Sequence, residues 1–242
     1  RSQPALPPAH ENLVMQALEL FQQHLEEKHG KSFGLSVDLV KRIPAAAGLG
    51  GASSDAAAAL VGANRLNGNL LSLEELTIMA AQVGSDVPFF LYRSPARCQG
   101  RGEKVTPVSS PQSLPVVLVK PTAGLSTPSV FGRVAEFGFE DRQSIDDMLQ
   151  VFTSGDLSGV GRALHNRLLE PALAVLPELQ GVVHLLQDFD VAGFQMTGSG
   201  STFFMICRHA NQAKNLAARL RQMKLGAVID TYTIGQPFGC AA

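Results

Sequence analysis

The chain has 242 residues, 45% hydrophobic and 17% charged, and 20 Lys+Arg against 21 Asp+Glu leave a net charge of −1. That balance argues against a non-specific nucleic-acid binder, which is usually basic, while leaving room for a small anion at one local site. Its 23 Gly and 14 Pro follow no period, so collagen-like and disordered readings fail, and no apolar run reaches the about 18 residues of a membrane span.

Residues 1–9 are Pro-rich and read as extended, with no signal-peptide core. From His10 to His29, Leu13, Val14, Ala17, Leu18, Phe21 and Leu25 recur at helical spacing, and Gly30 suits the helix end. Phe33, Leu35, Val37 and Leu39 alternate with small or polar residues, the pattern of a half-buried strand that Pro44 ends. A loop of small residues leads to an Ala-rich helix over Ser54 to Asn64. Ser72-Leu-Glu-Glu75 has the form of a capping box and opens a helix to about Val83. Strands are expected over Cys98 to Val108 and Leu114 to Val119, the second rich in valine. Ser126 to Asp190 reads as mostly helical, broken at Gly155, Pro171 and Pro177. Two strands, Val191 to Met196 and Thr202 to Cys207, flank a Gly/Ser turn. An amphipathic helix over Asn211 to Lys224 and a strand over Ala227 to Ile234 close the chain. The Pro/Ser cluster between Val108 and Leu114 marks a boundary between domains 1–110 and 111–242.

Three segments invite chemistry. In Pro44-Ala45-Ala46-Ala47-Gly48-Leu49-Gly50-Gly51-Ala52-Ser53-Ser54, glycines let the backbone come close to a ligand. Its N–H groups and the following helix N-terminus suit an anion, and Ser53 and Ser54 add hydroxyls. The loop has no lysine, so it is not a Walker A sequence. A plain strand-to-helix turn with a serine cap is the competing reading. In Gly84-Ser85-Asp86-Val87-Pro88, Ser85 or Asp86 could simply cap a short helix. Alternatively Asp86 is a carboxylate beside the anion loop, kept ionised by helix-start amides and able to accept a proton from a substrate hydroxyl. Thr197-Gly198-Ser199-Gly200-Ser201 is either a hairpin turn or a second backbone cradle. Cys98, Cys207 and Cys240 are odd in number and far apart. They read as reduced thiols of a cytoplasmic protein rather than a disulfide framework or zinc site. The histidines follow no metal spacing.

The stretch Pro44 to Ala57 resembles the glycine-serine phosphate loop of the GHMP kinase superfamily. Its variant GLGGASSDAA is most similar to that of the 4-diphosphocytidyl-2-C-methyl-D-erythritol kinases. Glu11 to Val14, Lys41 to Pro44, Gly84 to Pro88, Gly100 to Glu103, Gly124 to Pro128 with Phe131, and His165 to Leu168 resemble further family segments in the same order. The resemblance implies an α/β (α+β) fold in two domains. These are an ATP-binding one like domain 2 of ribosomal protein S5, and a ferredoxin-like substrate domain. It implies phosphorylation by ATP, carrying Mg²⁺, of the 2-hydroxyl of a CDP-alcohol, CDP-methylerythritol, on the route to isoprenoids. Neither nucleic acid nor a membrane is implied as a partner, and a homodimer is an option. By the same resemblance Pro44 to Ser54 wrap the ATP phosphates and Asp86 is the base or orienter. Thr127, Pro128 and Phe131 lie by the cytidine, with Phe131 stacking on the base. Gly198, Ser199, Gly200 and Ser201 close the site near the phosphates. No metal ligand is assigned. Two alternatives stay open: another GHMP small-molecule kinase of the mevalonate or homoserine type, and a non-catalytic nucleotide-binding fragment. The second arises because the family's N-terminal Pro-Ala-Lys strand has no counterpart here. For that reason the chain alone is expected to show little or no kinase activity.

Overall fold

The computed structural model describes residues 8–138 and 144–234. Residues 1–7 of the stretch expected to be extended, 139–143 of the expected helical region, and Cys240 lie outside the described residues. The chain forms two compact units. The first runs to Ala45 and resumes over Gly50–Pro107, while the second takes Ala46–Leu49 and resumes at Val108.

In the first unit a 3₁₀ turn, Ala9–Glu11, precedes α1, Leu13–His29. The Asn12 side chain accepts from the Val14 amide at 3.0 Å, and Gly30 ends the helix in the left-handed region at φ 60°. Val14, Ala17, Leu18, Phe21 and Leu25 fall on one buried face, as their spacing predicts. Each large side chain removed from water there contributes roughly 1.5–3 kcal/mol. That face packs on α2, Gly51–Leu66, through Ala56, Ala57, Leu60 and Ala63, where methyl-sized residues let the helices come close. Buried Asn64 donates to Leu71 O at 2.8 Å and accepts from Leu71 N at 3.0 Å, fixing the link to the next helix. Helix α3, Leu73–Val83, has the reciprocal Ser72/Glu75 capping box its sequence predicts. Helix α4, Val87–Tyr92, has Pro88 in its first turn, where a missing N–H costs nothing.

Strands β1, Ala96–Gln99, and β2, Lys104–Pro107, form an antiparallel hairpin with Cys98 opposite Val105. The single strand expected over Cys98 to Val108 is therefore two, divided by the turn at Gly100 to Glu103. A further expectation fails: Phe33 to Leu39 belong to no strand. Alternation selects a face, but a strand needs a hydrogen-bonded neighbour, and among the described residues none pairs with this segment. Val37 and Val40 consequently stay 45% and 65% exposed.

The second unit is built on β3, Pro115–Pro121. Helix α5, Thr127–Gly132, follows, then α6, Ile145–Ser154, and α7, Leu157–Ala163. Next come α8, Leu169–Val175, and α9, Leu179–Gln187. Strands β4, Gly193–Met196, and β5, Phe203–Ile206, precede α10, Ala210–Gln222, and β6, Gly226–Tyr232. Gly155 ends α6 and Pro177 separates α8 from α9, as expected. Pro171 does not break the region. It sits in the first turn of α8, where its lacking N–H has no bond to lose.

The sheet is antiparallel throughout, in the order β4-β5-β3-β6. With the helical connections between β3 and β4 and between β5 and β6, this is the ferredoxin-like βαββαβ arrangement. Alternate residues serve two cores. Val117 and Val119 of β3, with Phe203 and Met205 opposite, pack under α9 and α10. Val116 and Ile206 join Leu114 and Val160 against residues of α6 and α7. Both faces are covered, which explains the nearly continuous apolar run in β3.

Candidate active site

In the first unit the small-residue loop runs directly into α2. The helix starts at Gly51, earlier than the Ser54 start expected from sequence. Gly50 stands before it at φ 61° with no side-chain cap, so the first helix amides, which cannot bond within the helix, are left to an external acceptor. Such an end favours an anion, and the groups present fit a nucleotide phosphate. The Ser54 hydroxyl donates to Gly51 O at 2.9 Å, within the helix's first turn. Lys41 and Asp55, both half-buried, form an ion pair on this side of the helix. In the sequence Lys41 and Asp55 belong to two separate segments that resemble the family. Their pairing joins residues fourteen apart and has no local signature.

Asp86 holds the cap position of α4, yet its side chain makes no capping hydrogen bond and is exposed. The carboxylate is therefore not consumed by the helix. The hairpin turn supports its segment: a Cβ at Gly102 would stand 2.6 Å from Ser85 O. Glu103 folds that turn by accepting from the Arg101 amide at 2.7 Å. Its own amide and that of Arg101 hold its carboxyl below the usual range. The Cys98 thiol is pushed up, first by partial desolvation and second by the nearby Asp86 charge. Phe90 of α4 lies over Gly50, where an added Cβ would be 2.6 Å from the ring edge. So α4 and the start of α2 meet directly, and Gly50 makes room for a ring of the protein itself.

In the second unit Ala46–Leu49 meet the Gly/Ser turn. Thr197 Oγ1 donates to Gly48 O at 3.0 Å and Thr202 N to Ala47 O at 3.3 Å. Gly48, at φ 69°, leaves no space for a Cβ, which would collide with the Thr197 carbonyl and the Gly200 backbone. The turn is the β4–β5 hairpin turn, closed by Thr197 N to Thr202 O at 2.9 Å and Gly200 N to Thr197 O at 3.0 Å. Its hydroxyls are engaged. Ser199 pairs with Thr127 Oγ1 at 2.8 Å, and Ser201, fully buried, donates to Ala123 O at 2.6 Å. Lys120 adds a bond to the same carbonyl at 3.0 Å and one to Pro121 O at 2.6 Å. Its desolvated ammonium has a lowered pKa. Thus Thr127 and the turn come together, Gly198 is the exposed member of the turn, and Pro128 and Phe131 lie exposed along α5. Phe131 leaves 57% of its surface open beside buried Val130.

Asn166 lies in the family-like segment His165 to Leu168. It donates to Met196 O at 2.7 Å and Gly198 O at 2.9 Å. Its signal in the sequence is faint, an asparagine shortly before a helix.

Among the described residues no group of three or more His, Cys, Asp or Glu is placed to hold a metal ion. None of the described helices is long and apolar enough to cross a membrane. Cys98 is exposed and Cys207 buried, and both are free thiols.

Residues 12–94 match the model of the GHMP kinases N terminal domain, and residues 148–224 that of the GHMP kinases C terminal. A 4-diphosphocytidyl-2-C-methyl-D-erythritol kinase of Bacillus cereus (strain B4264) is 37% identical over 204 residues, 84% of this chain and 69% of the relative. One from Levilactobacillus brevis is 36% identical over 212 residues, 87% of this chain and 72% of the relative. A crystal structure of 4-(cytidine 5'-diphospho)-2C-methyl-D-erythritol kinase superposes with a TM-score of 0.75 at 32% identity, covering 94% of this chain and 80% of the other. A homoserine kinase from Cytophaga hutchinsonii also reaches 0.75, over 95% of this chain and 78% of its own. At 20% identity that likeness speaks for the fold alone.

Proposed function

The chain belongs to the GHMP kinases, and from that premise we propose that it phosphorylates the 2-hydroxyl of 4-(cytidine 5'-diphospho)-2-C-methyl-D-erythritol with ATP, a step of isoprenoid synthesis. The observation that carries this reading is the uncapped start of α2 in a unit that also holds the exposed Asp86. Anion-binding amides and a carboxylate are what transfer of a phosphoryl group to an alcohol asks of a protein.

Bound ATP would supply the phosphoryl group, and Mg²⁺ bound with it would screen the charge. The rest is positioning. Residues Pro44 to Ser54 hold the phosphates, chiefly through backbone N–H at the start of α2. Asp86 orients the substrate hydroxyl and takes its proton. Thr127 and Pro128 line the cytidine and Phe131 stacks on the base, which suits a ring left exposed on α5. Gly198 to Ser201 hold their backbone toward the phosphates. The serine hydroxyls in that turn are engaged with protein, so its contribution is through main chain.

Titration calorimetry with a non-hydrolysable ATP analogue tests the reading. With the analogue bound, the CDP-alcohol is expected to bind at least tenfold more tightly than mevalonate or homoserine, about 1.4 kcal/mol. Preference for either of the latter would overturn the substrate assignment.

A further inference from the structure

We propose that Asn166 is a positioning residue for phosphoryl transfer, holding the Gly198–Ser201 turn in its working shape. The inference rests on the reading above that this turn lies by the phosphates.

Asn166 lies between α7 and α8, half-buried, and both polar atoms of its side chain are committed. Its Nδ2 gives both hydrogens to the hairpin, to Met196 O at 2.7 Å and Gly198 O at 2.9 Å. Its Oδ1 accepts from Leu168 N at 2.9 Å, at the start of α8. Only this orientation of the amide satisfies two carbonyls and one N–H together. The two carbonyls flank Thr197, whose hydroxyl donates to Gly48 O. One side chain therefore clamps the residue that links the turn to Ala46–Leu49. No other standard side chain does this at the same length. Aspartate would set a carboxylate against two carbonyls, and serine has a single proton to give. Backbone donors stabilise developing charge only when their directions are fixed beforehand, so loosening this clamp weakens every main-chain contact the turn makes.

Asn166→Ala and Asn166→Asp test the proposal, with Gly198→Val as the control on the turn itself. Amide hydrogen exchange and calorimetry with a non-hydrolysable ATP analogue and the CDP-alcohol are the readouts. Exchange over Thr197 to Thr202 is expected to quicken about tenfold in both Asn166 variants, with β4 and β5 near parent values, and ligand affinity to fall about tenfold, the scale of one or two lost hydrogen bonds. Asn166→Asp carries a further signature. Below its carboxyl pKa it regains one O–H donor, so its affinity relative to the parent recovers toward acid, whereas Asn166→Ala shows no recovery. Exchange that quickens evenly across β4 and β5 would mark a merely structural role and overturn the proposal. Parent-like affinity in both Asn166 variants, with affinity lost in Gly198→Val, would overturn it while leaving the proposed function standing. Parent-like affinity in all three would remove the turn from ligand binding, and the inference with it.

Discussion

Asp86 and Gly50 show how differently single residues carry weight. Asp86 is exposed, bonds to nothing at its helix cap, and contributes little that the fold would miss. Asp86→Asn is therefore expected to leave the melting temperature nearly unchanged and, in the complete protein, to lower turnover about 10²-fold, the scale of a lost general base. Steady-state kinetics beside a thermal melt checks both halves, and unchanged turnover removes Asp86 from the chemistry. Gly50 is the reverse case. Its φ of 61° and the Phe90 ring above it make it a packing requirement. Gly50→Ala should cost about 1–2 kcal/mol through the left-handed backbone alone, with overpacking added. Denaturant midpoints test this, and Phe90→Leu in the same chain should return part of the loss. A bulkier Gly50→Val would lose ligand through misfolding, so weakened binding in it would say little about close approach of phosphate.

Among the elements, the joint of α1 and α3 carries a measurable pH dependence. Glu75 closes the α3 capping box and pairs with Lys28 of α1. Bonds from Lys28 first, then from Ser72, lower its carboxyl from 4.5 to about 2. A folded-state value below the unfolded one means the stabilisation is complete above 4.5 and is lost as pH falls toward 2. Glu75→Gln should therefore flatten the stability profile between those values, and added salt should shrink the Lys28 part. Urea midpoints measured along that interval decide it. The capping box was legible because it is written in four consecutive residues. Helix α1 was legible because its apolar period is unbroken. The hairpin at Gly100 to Glu103 was not, because neither of its short strands has room to show alternation. Phe33 to Leu39 misled for the opposite reason, showing alternation with no partner to pair with among the described residues. The site divides the same way. Its glycines and Asp86 stood out by composition, whereas Lys41 with Asp55, and Asn166 with the hairpin, meet across the chain and leave no local pattern.

At the scale of the whole molecule, four residues belong to a unit other than their sequence neighbours'. Ala46–Leu49 supply the acceptors for Thr197 and Thr202, and Gly48 is the point of closest approach. Gly48→Val is thus expected to speed amide exchange in β4 and β5 of the second unit, while amides of α1 and α3 in the first unit keep their protection. Equal loosening of both units would contradict this division.

The same four residues set a rule for recombination among relatives. A chimera cut in the Pro/Ser stretch after Pro107 looks clean in sequence, yet it would separate Ala46–Leu49 from the hairpin they are bonded to. Exchanging the second unit between two kinases then requires moving these four residues along with it. Libraries that respect the rule should retain more folded members than libraries cut at the linker alone.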